Sequence, residues 1–429
     1  MADINETEKK EYKTDGEIIK KIGFVIPWYG DNIPGGAEAD LRGIVKHLTA
    51  RGVDLEVLTT CVKEFAANWS KNYHKEGITE EGGITVRRFP VRQRDRIAFD
   101  RINHRLMQGQ YKITLKDEET FLREMVNSPA LYDYIRDNKD EYSVFVFTPY
   151  MFGTTYYGVQ ACYEKALMIP CFHDEPYAYF EKFSNVYSRV RGMAFHAKPE
   201  FNLINGIYDL KNVECRIIGD GMETDLTHDE KRFREKYKAD YPFILYAGRK
   251  DKGKNIYTLI DYFRELKYRK RDGIYKDLKL VLIGGGEVNI PEDAKNDIID
   301  LGFVPKQDKY DAYSAAAFTC QPSKNESFSL VIMESWLCGR PVMVCEECAV
   351  TTNFAKESRG GLFFKDYYDF EAATNFLLTD ERADEMAQNG RDYVLSHFKW
   401  DTIIDLYYDF IVDIAKNNDR SVKDVRNRS

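Results

Sequence analysis

Two parallel sheets, each wound by helices on both faces, form the α/β fold that this sequence predicts. Three observations predict it. Short β-branched apolar runs alternate with amphipathic stretches, glycine-bearing loops follow several of the runs, and the whole pattern starts twice. The 429 residues fit two or three domains at about 100–200 residues each.

The elements follow in order. Residues 1–17 are polar and charged and read as a tail. Ile22–Ile26 is a short apolar run with a buried-strand pattern, and the loop YGDNIPGGAE follows it. Ala37, Leu41, Ile44, Val45 and Leu48 fall at helical spacing, and Gly52 stands where such a helix stops. Val53–Thr60 and Ile84–Val91 are further strands, and Tyr142–Tyr150 and Met168–Asp174 are expected to be the last strands of this half. The pattern restarts beyond residue 221. Phe243–Arg249 is a strand, Asn255–Lys270 an amphipathic helix, and Leu278–Gly286 a strand running into a glycine-rich loop. Strand and helix then alternate through RPVMVC. Trp400–Ala415 carries apolar residues along one helical face and needs something to pack on. The expected division is 18–221, 222–397, a helix over 398–418 and a tail over 419–429. Two doubly wound halves put their loops at strand carboxyl ends, so a cleft between them is the default ligand site.

Composition excludes several classes. With 62 basic and 70 acidic residues the net charge is −8, the wrong sign for a protein that coats a polyanion. No apolar run reaches the roughly 18–20 residues needed to span a bilayer, and no apolar stretch follows a basic start as in a secretory signal. The eight cysteines are expected to be reduced thiols in a cytoplasmic protein. Cys345 and Cys348 form a lone CxxC without the second pair that a zinc site requires.

Four segments carry chemistry. In residues 322–342, Glu326 and Glu334 have seven residues between them, with Ser327, Phe328, Ser329 and Leu330 between a strand end and a helix start. Free N–H groups at such a helix start bind anions. Two glutamates on a helix are also ordinary surface charges. In residues 243–256, Gly248, Arg249 and Lys254 occupy a strand-to-helix loop. A guanidinium fork with a compact ammonium suits a diphosphate, although a basic surface loop looks the same. Gly35 and Gly36 would let backbone approach a ligand closely, or simply make a turn. His173, in the FHDEP segment, follows a strand and has acidic neighbours that could orient it.

Together these residues resemble the retaining nucleotide-sugar glycosyltransferases of family 4 (group 1), which have the GT-B fold. The resemblance runs from about Ile22 to about Ala415, and its most specific part is the Glu326–Glu334 spacing followed by Cys338-Gly339-Arg340-Pro341-Val342. It implies two Rossmann-like domains, the first on the acceptor side, the second binding the nucleotide-sugar, and a last helix crossing back to the first. Arg249 and Lys254 would hold the leaving diphosphate. Glu326 would contact the donor sugar, with Phe328, Ser329 and Leu330 offering backbone donors, and Glu334 would bind the ribose. The Gly35-Gly36 loop would cover the donor, and His173 would lie by the reacting sugar. Phe303 and Val304 would neighbour the base. Catalysis would thus rest on His173, Glu326, Arg249 and Lys254. The chain departs from the family at Ser329, where glycine is usual, and Lys252 competes with Lys254 for the phosphate.

No Asp-x-Asp triplet occurs, so the expectation is transfer without a metal or other cofactor. Glycosyl transfer passes through an oxocarbenium-like state, and the protein must stabilise the departing diphosphate. The expected role is bacterial surface polysaccharide or glycoconjugate assembly. Residues Arg87–Leu106 hold seven Arg and two Asp, which suits an anionic membrane face, a phosphate-bearing acceptor, or local ion pairs. Three rivals stay open. A nicotinamide oxidoreductase should show GxGxxG after the first strand, where this chain has GDNIPGG. A sugar-nucleotide epimerase would need no acceptor, and a non-catalytic relative would only bind.

Overall fold

The computed structural model describes residues 19–31 and 33–426, with side-chain surroundings to residue 416. The expected tail 1–17 lies outside the described residues. The chain divides into two compact units, Met1–Gly221 with Trp400–Ser429, and Met222–Lys399.

The first unit is built on an eight-stranded sheet. Its strands are β1 (Lys21–Val25), β2 (Leu55–Thr60), β3 (Gly77–Glu81), β4 (Ile84–Phe89), β5 (Tyr142–Phe147), β6 (Ala166–Met168), β7 (Gly192–Phe195) and β8 (Glu214–Ile217), in the spatial order 3-4-2-1-5-6-7-8. Only β3 runs antiparallel, against β4. At the centre Phe24 of β1 pairs with Val57 of β2 and Val146 of β5. All three are buried, as in a parallel sheet covered on both faces. The second unit has a wholly parallel sheet of six strands: β9 (Phe243–Ala247), β10 (Lys279–Ile283), β11 (Ile298–Asp300), β12 (Phe318–Gln321), β13 (Val342–Cys345) and β14 (Gly361–Phe364), in the order 11-10-9-12-13-14.

The first unit holds more strand than its sequence suggests. β7 and β8 follow β6, so Met168–Asp174 is not the last strand, and β6 itself ends at Met168. Pro170 lacks the N–H that a longer ladder would require. β3, exposed along nearly its whole length, has no apolar face to betray it.

The last helix, Trp400–Arg426, runs past the expected end at 418, for its sequence holds neither proline nor glycine to stop it. It buries Ile403, Ile404, Tyr407, Phe410, Ile411 and Ile414 within the first unit. Arg51 anchors its start on Asp401 at 2.7 Å and Asp405 at 2.5 Å, and Arg216 reaches Asp413 at 2.6 Å. The Trp400 ring stacks on His47 at 4.5 Å and presses against two glycines. A Cβ at Gly43 would stand 2.1 Å from the ring, and one at Gly221 2.2 Å. The thiols of the CxxC, Cys345 and Cys348, are buried and pushed up from the ordinary range, the state of core thiols.

The fit of Trp400 gives a first prediction. Gly43→Ala forces a methyl into an aromatic ring and should cost about 1–3 kcal/mol, read by chemical denaturation. A change within about 0.5 kcal/mol, the usual range for a surface substitution, would show that the ring is not held there.

Candidate functional site

In each sheet the strand order reverses beside one central strand, β1 between β2 and β5 and β9 between β10 and β12. Loops leave adjacent strands in opposite directions at such a point and open a crevice at their carboxyl ends. The segments singled out in the second unit, 248–254 and 322–330, follow β9 and β12, the two strands that flank its reversal.

The loop after β9 is fixed by close packing. Gly248 takes φ +156°, and a Cβ on Gly284 of the β10 loop would stand 2.1 Å from the Gly248 carbonyl oxygen. The two strand ends thus approach more closely than side chains permit. The Tyr246 hydroxyl donates to the Arg249 carbonyl. Lys250 turns inward, and its buried Nζ lies 2.5 Å from Asp300 Oδ1. Asp251 accepts from the Lys254 N–H at 3.0 Å and caps the turn Lys252–Lys254. The Asn255 side chain donates to the Pro322 carbonyl at 3.0 Å, so this loop and the one after β12 are bonded together.

Across that junction Lys254 Nζ meets Glu326 Oε1 at 2.6 Å, with both side chains largely shielded from water. Gln321, the last residue of β12, donates to the same carboxylate at 3.3 Å. Of the two candidate lysines, Lys254 is the one held against a site carboxylate, while Lys252 is exposed. Arg249 has its side chain 64% exposed, its Nε 3.5 Å from Asp251 Oδ2.

The helix Leu330–Leu337 begins next. Ser329 precedes it at φ +94°, in the left-handed region, and its side chain makes no cap bond. The first N–H groups of a helix have no intrahelical acceptor, so this end carries partial positive charge a few residues from Glu326. Phe328 is 2% exposed, and its ring packs on Phe354 and Phe398 at 5.3 and 5.0 Å. Its backbone can serve a ligand, but its side chain is core. Glu334 is nearly buried: Oε1 takes Lys309 Nζ at 2.6 Å, and Oε2 accepts from the Tyr313 hydroxyl at 3.1 Å. Burial, with Glu334 beside it, holds the Tyr313 phenol well above its usual range, so it remains a donor. Sequence reasoning missed Lys309, Tyr313 and Gln321. The four-residue spacing of Lys309 and Tyr313 on the helix Lys306–Ala315 was the available signal. Of the two residues expected near a base, Phe303 is 85% exposed and Val304 is buried in the core.

In the first unit, Gly35 at φ +141° caps the helix Gly36–Ala50. A Cβ there would collide with the Glu38 carboxylate, whereas Gly36 faces open space. Glu38 Oε1 accepts from Trp28 Nε1 at 2.6 Å. Trp28 follows β1, Phe65 and Trp69 follow β2, and Phe152 follows β5, so this aromatic group gathers at the sheet's reversal. Trp28 meets Phe152 at 5.0 Å and Trp69 at 6.1 Å, with Phe65 52% exposed. His173 lies beyond β6, its Nδ1 3.4 Å from Glu175 Oε1. The same carboxylate oxygen accepts from the buried Tyr150 hydroxyl at 2.8 Å, and Asp174 accepts from Tyr179 at 2.8 Å. Both acidic neighbours of His173 are therefore oriented by tyrosines.

The basic stretch is largely paired. Arg87 faces Glu56 at 3.2 Å, Arg88 Glu81 at 2.6 Å, Arg92 Glu124 at 3.1 Å and Arg105 Asp117 at 3.0 Å. Arg94 lies over the Trp69 and Phe99 rings at 4.5 and 4.7 Å. No helix among the described residues is long and apolar enough to cross a membrane.

Residues 227–393 match the family model "Glycosyl transferases group 1". A D-inositol 3-phosphate glycosyltransferase of Acidothermus cellulolyticus is 24% identical over 218 residues, 46% of this chain and 48% of the relative. One of Corynebacterium aurimucosum is 28% identical over 213 residues, 45% of this chain and 50% of the relative. The chain thus spans about half the length of the curated relatives it matches. Among solved structures, Anabaena HepE in complex with UDP and glucose aligns with TM-score 0.64 and 16% identity, over 92% of this chain and all of the other. Trehalose-6-phosphate synthase (OtsA) aligns with TM-score 0.69 and 10% identity, over 91% and 98%. The fold is GT-B.

Ser329 supplies a prediction. A non-glycine residue at positive φ costs of order 1–3 kcal/mol, and glycine returns up to about 1 kcal/mol of this through its freer unfolded chain. Ser329→Gly should stabilise the protein by about 1 kcal/mol in chemical denaturation. Unchanged or lowered stability would mean that the turn is not strained.

Proposed function

We propose that the chain is a retaining family 4 glycosyltransferase, moving a sugar from a nucleoside-diphosphate sugar to an acceptor hydroxyl without a metal. One observation carries the reading. At the strand reversal of the second sheet, Lys254 and Glu326 meet at 2.6 Å from two bonded loops, beside the open N-terminus of the helix Leu330–Leu337. A carboxylate suited to sugar hydroxyls and cationic groups suited to a diphosphate are thereby adjacent.

In this reading Arg249, Lys254 and the helix N–H groups take the negative charge that develops as the bond from the anomeric carbon to the diphosphate breaks. The acceptor oxygen bonds to that carbon on the face the diphosphate leaves, and the acceptor proton passes to a leaving phosphate oxygen. Glu326 holds donor hydroxyls, and Glu334, oriented by Lys309 and Tyr313, binds the ribose. His173, steadied by Glu175, is the polar group of the first unit that we assign to the reaction. Solved neighbours hold UDP and glucose, or UDP-2-fluoro glucose, which supports a nucleotide-sugar donor. The matching relatives' names support a hydroxyl-bearing acceptor. The rings of Phe65 and Trp69 offer it an apolar face at the first sheet's reversal. Surface polysaccharide or glycoconjugate assembly in the cytoplasm is the setting we propose. Any contact with an anionic membrane falls to the outer face of the helix Arg96–Met107, where Ile97 and Met107 are 83% and 73% exposed beside Arg96 and Arg101.

Product NMR on donor with acceptor should show the donor's anomeric configuration kept. An inverted product, or altered donor without acceptor as an epimerase would give, would overturn the proposal. Lys254→Ala should lower kcat about 10²–10³-fold, the usual loss when one charge-stabilising donor is removed. Full turnover in that variant would remove the diphosphate assignment. Trp69→Ala should raise the acceptor KM and leave the donor KM unchanged.

A further inference from the structure

A second polar cluster lies in the first unit, made of residues with no role in the site described above. Asp40 from the helix Gly36–Ala50, His196 just after β7, and Asp220 close after β8 converge with side chains no more than 8% exposed. His196 Nε2 stands 2.8 Å from Asp220 Oδ1 and 3.3 Å from Asp40 Oδ2, and one ligand atom from each residue falls within 4.8 Å of the others. On the far edge of the ring Nδ1 faces Glu200 Oε2 at 3.6 Å. Glu200 is itself buried and fixed, its carboxylate accepting the backbone N–H groups of Phe172 and His196 at 2.7 Å each.

We propose that Asp40, His196 and Asp220 bind a divalent transition-metal ion, of the zinc class, that is structural. Three lines of geometry support the site. First, one imidazole nitrogen and two carboxylates are a donor set for zinc or a neighbouring transition ion, whereas calcium and magnesium prefer oxygen alone. Second, Asp40 is 4% exposed, its Oδ2 faces His196 Nε2, and its Oδ1 accepts no hydrogen bond. Third, Glu200 stands behind Nδ1 at 3.6 Å, on the side of the ring from which a carboxylate orients a metal-bound histidine.

The dimensions fit. Bonds of about 2.0–2.1 Å to a tetrahedral ion set ligand atoms about 3.3 Å apart. The Asp40–His196 separation already has that value, and the Asp220 contact must open by about 0.5 Å. Asp220 is held from both sides. Gly219, at φ +87°, gives its carbonyl to the buried Tyr407 hydroxyl at 3.2 Å, and Gly221 lies under the Trp400 ring. An ion here would tie the first helix to β7 and to the segment on which the last helix seats.

The experiment uses the full chain produced in zinc-supplemented medium and dialysed against a chelator. Elemental analysis should find about one zinc per chain, with Asp220→Asn and His196→Gln losing most of it. Zinc should raise the melting temperature of stripped wild-type protein by mass action. Where a variant does not fold, cobalt in wild-type protein serves instead, and visible d–d bands of a four-coordinate nitrogen–oxygen site are expected. Zinc near zero with no thermal shift, zinc undiminished in both variants, or a cobalt spectrum matching the ion in buffer would each overturn the site.

Discussion

Parallel strands covered on both faces leave a chain few places to put charge. Their backbone groups are consumed in the ladder and their side chains face helices on both sides, so polar chemistry is driven to the carboxyl-end loops. In the second unit β9 and β12 are wholly buried, and the residues beyond their ends supply Arg249, Lys254 and Glu326. One exception within a strand supports the rule. Glu56 of β2 is 1% exposed, and it keeps Arg87 at 3.2 Å and the hydroxyls of Tyr134 and Tyr142 for company. A carboxylate in that environment without partners would cost several kcal/mol.

What was legible in the sequence follows from range. Central strands were legible because β-branched apolar runs bounded by glycine loops are local patterns, and the helix Gly36–Ala50 because its apolar stripe repeats within fifteen residues. β3 was not, since a polar edge strand exists through its pairing with β4 and not through its own composition. β7, four residues long, gives too short a run to distinguish from a loop. Within the candidate site, Glu326 and Lys254 carried a local pattern, but their contact spans 72 positions. The Lys309 and Tyr313 contacts to Glu334 cross from one helix to the next and have no signature in the spacing of the glutamates.

The arginines after residue 87 show the same limit. A run of basic residues in an acidic chain suggests a ligand for positive charge. Here the partners come from Glu81 on a neighbouring strand, Glu124 about thirty residues on, and Asp117 on another helix. Arg88 is 3% exposed, so its charge is spent inside the unit and cannot act on a distant surface. Net charge and local charge density are both poor guides once pairing is non-local. What can meet a ligand is a cation that stays accessible at a strand end, as Arg249 does.

Accessibility also separates the two clusters in which acidic groups gather. Lys254 and Glu326 keep side chains 24% and 12% exposed, so each can exchange its partner for a ligand without entering a dry interior. Asp40, His196 and Asp220 are closed in by the first helix, the end of β7 and the seat of Trp400. A group sealed in this way cannot meet a sugar nucleotide that comes and goes. It can only hold something that stays for the life of the fold. Carboxylates are thus left open to exchange partners where loops leave a sheet at its reversal, and are sealed where helices close over them.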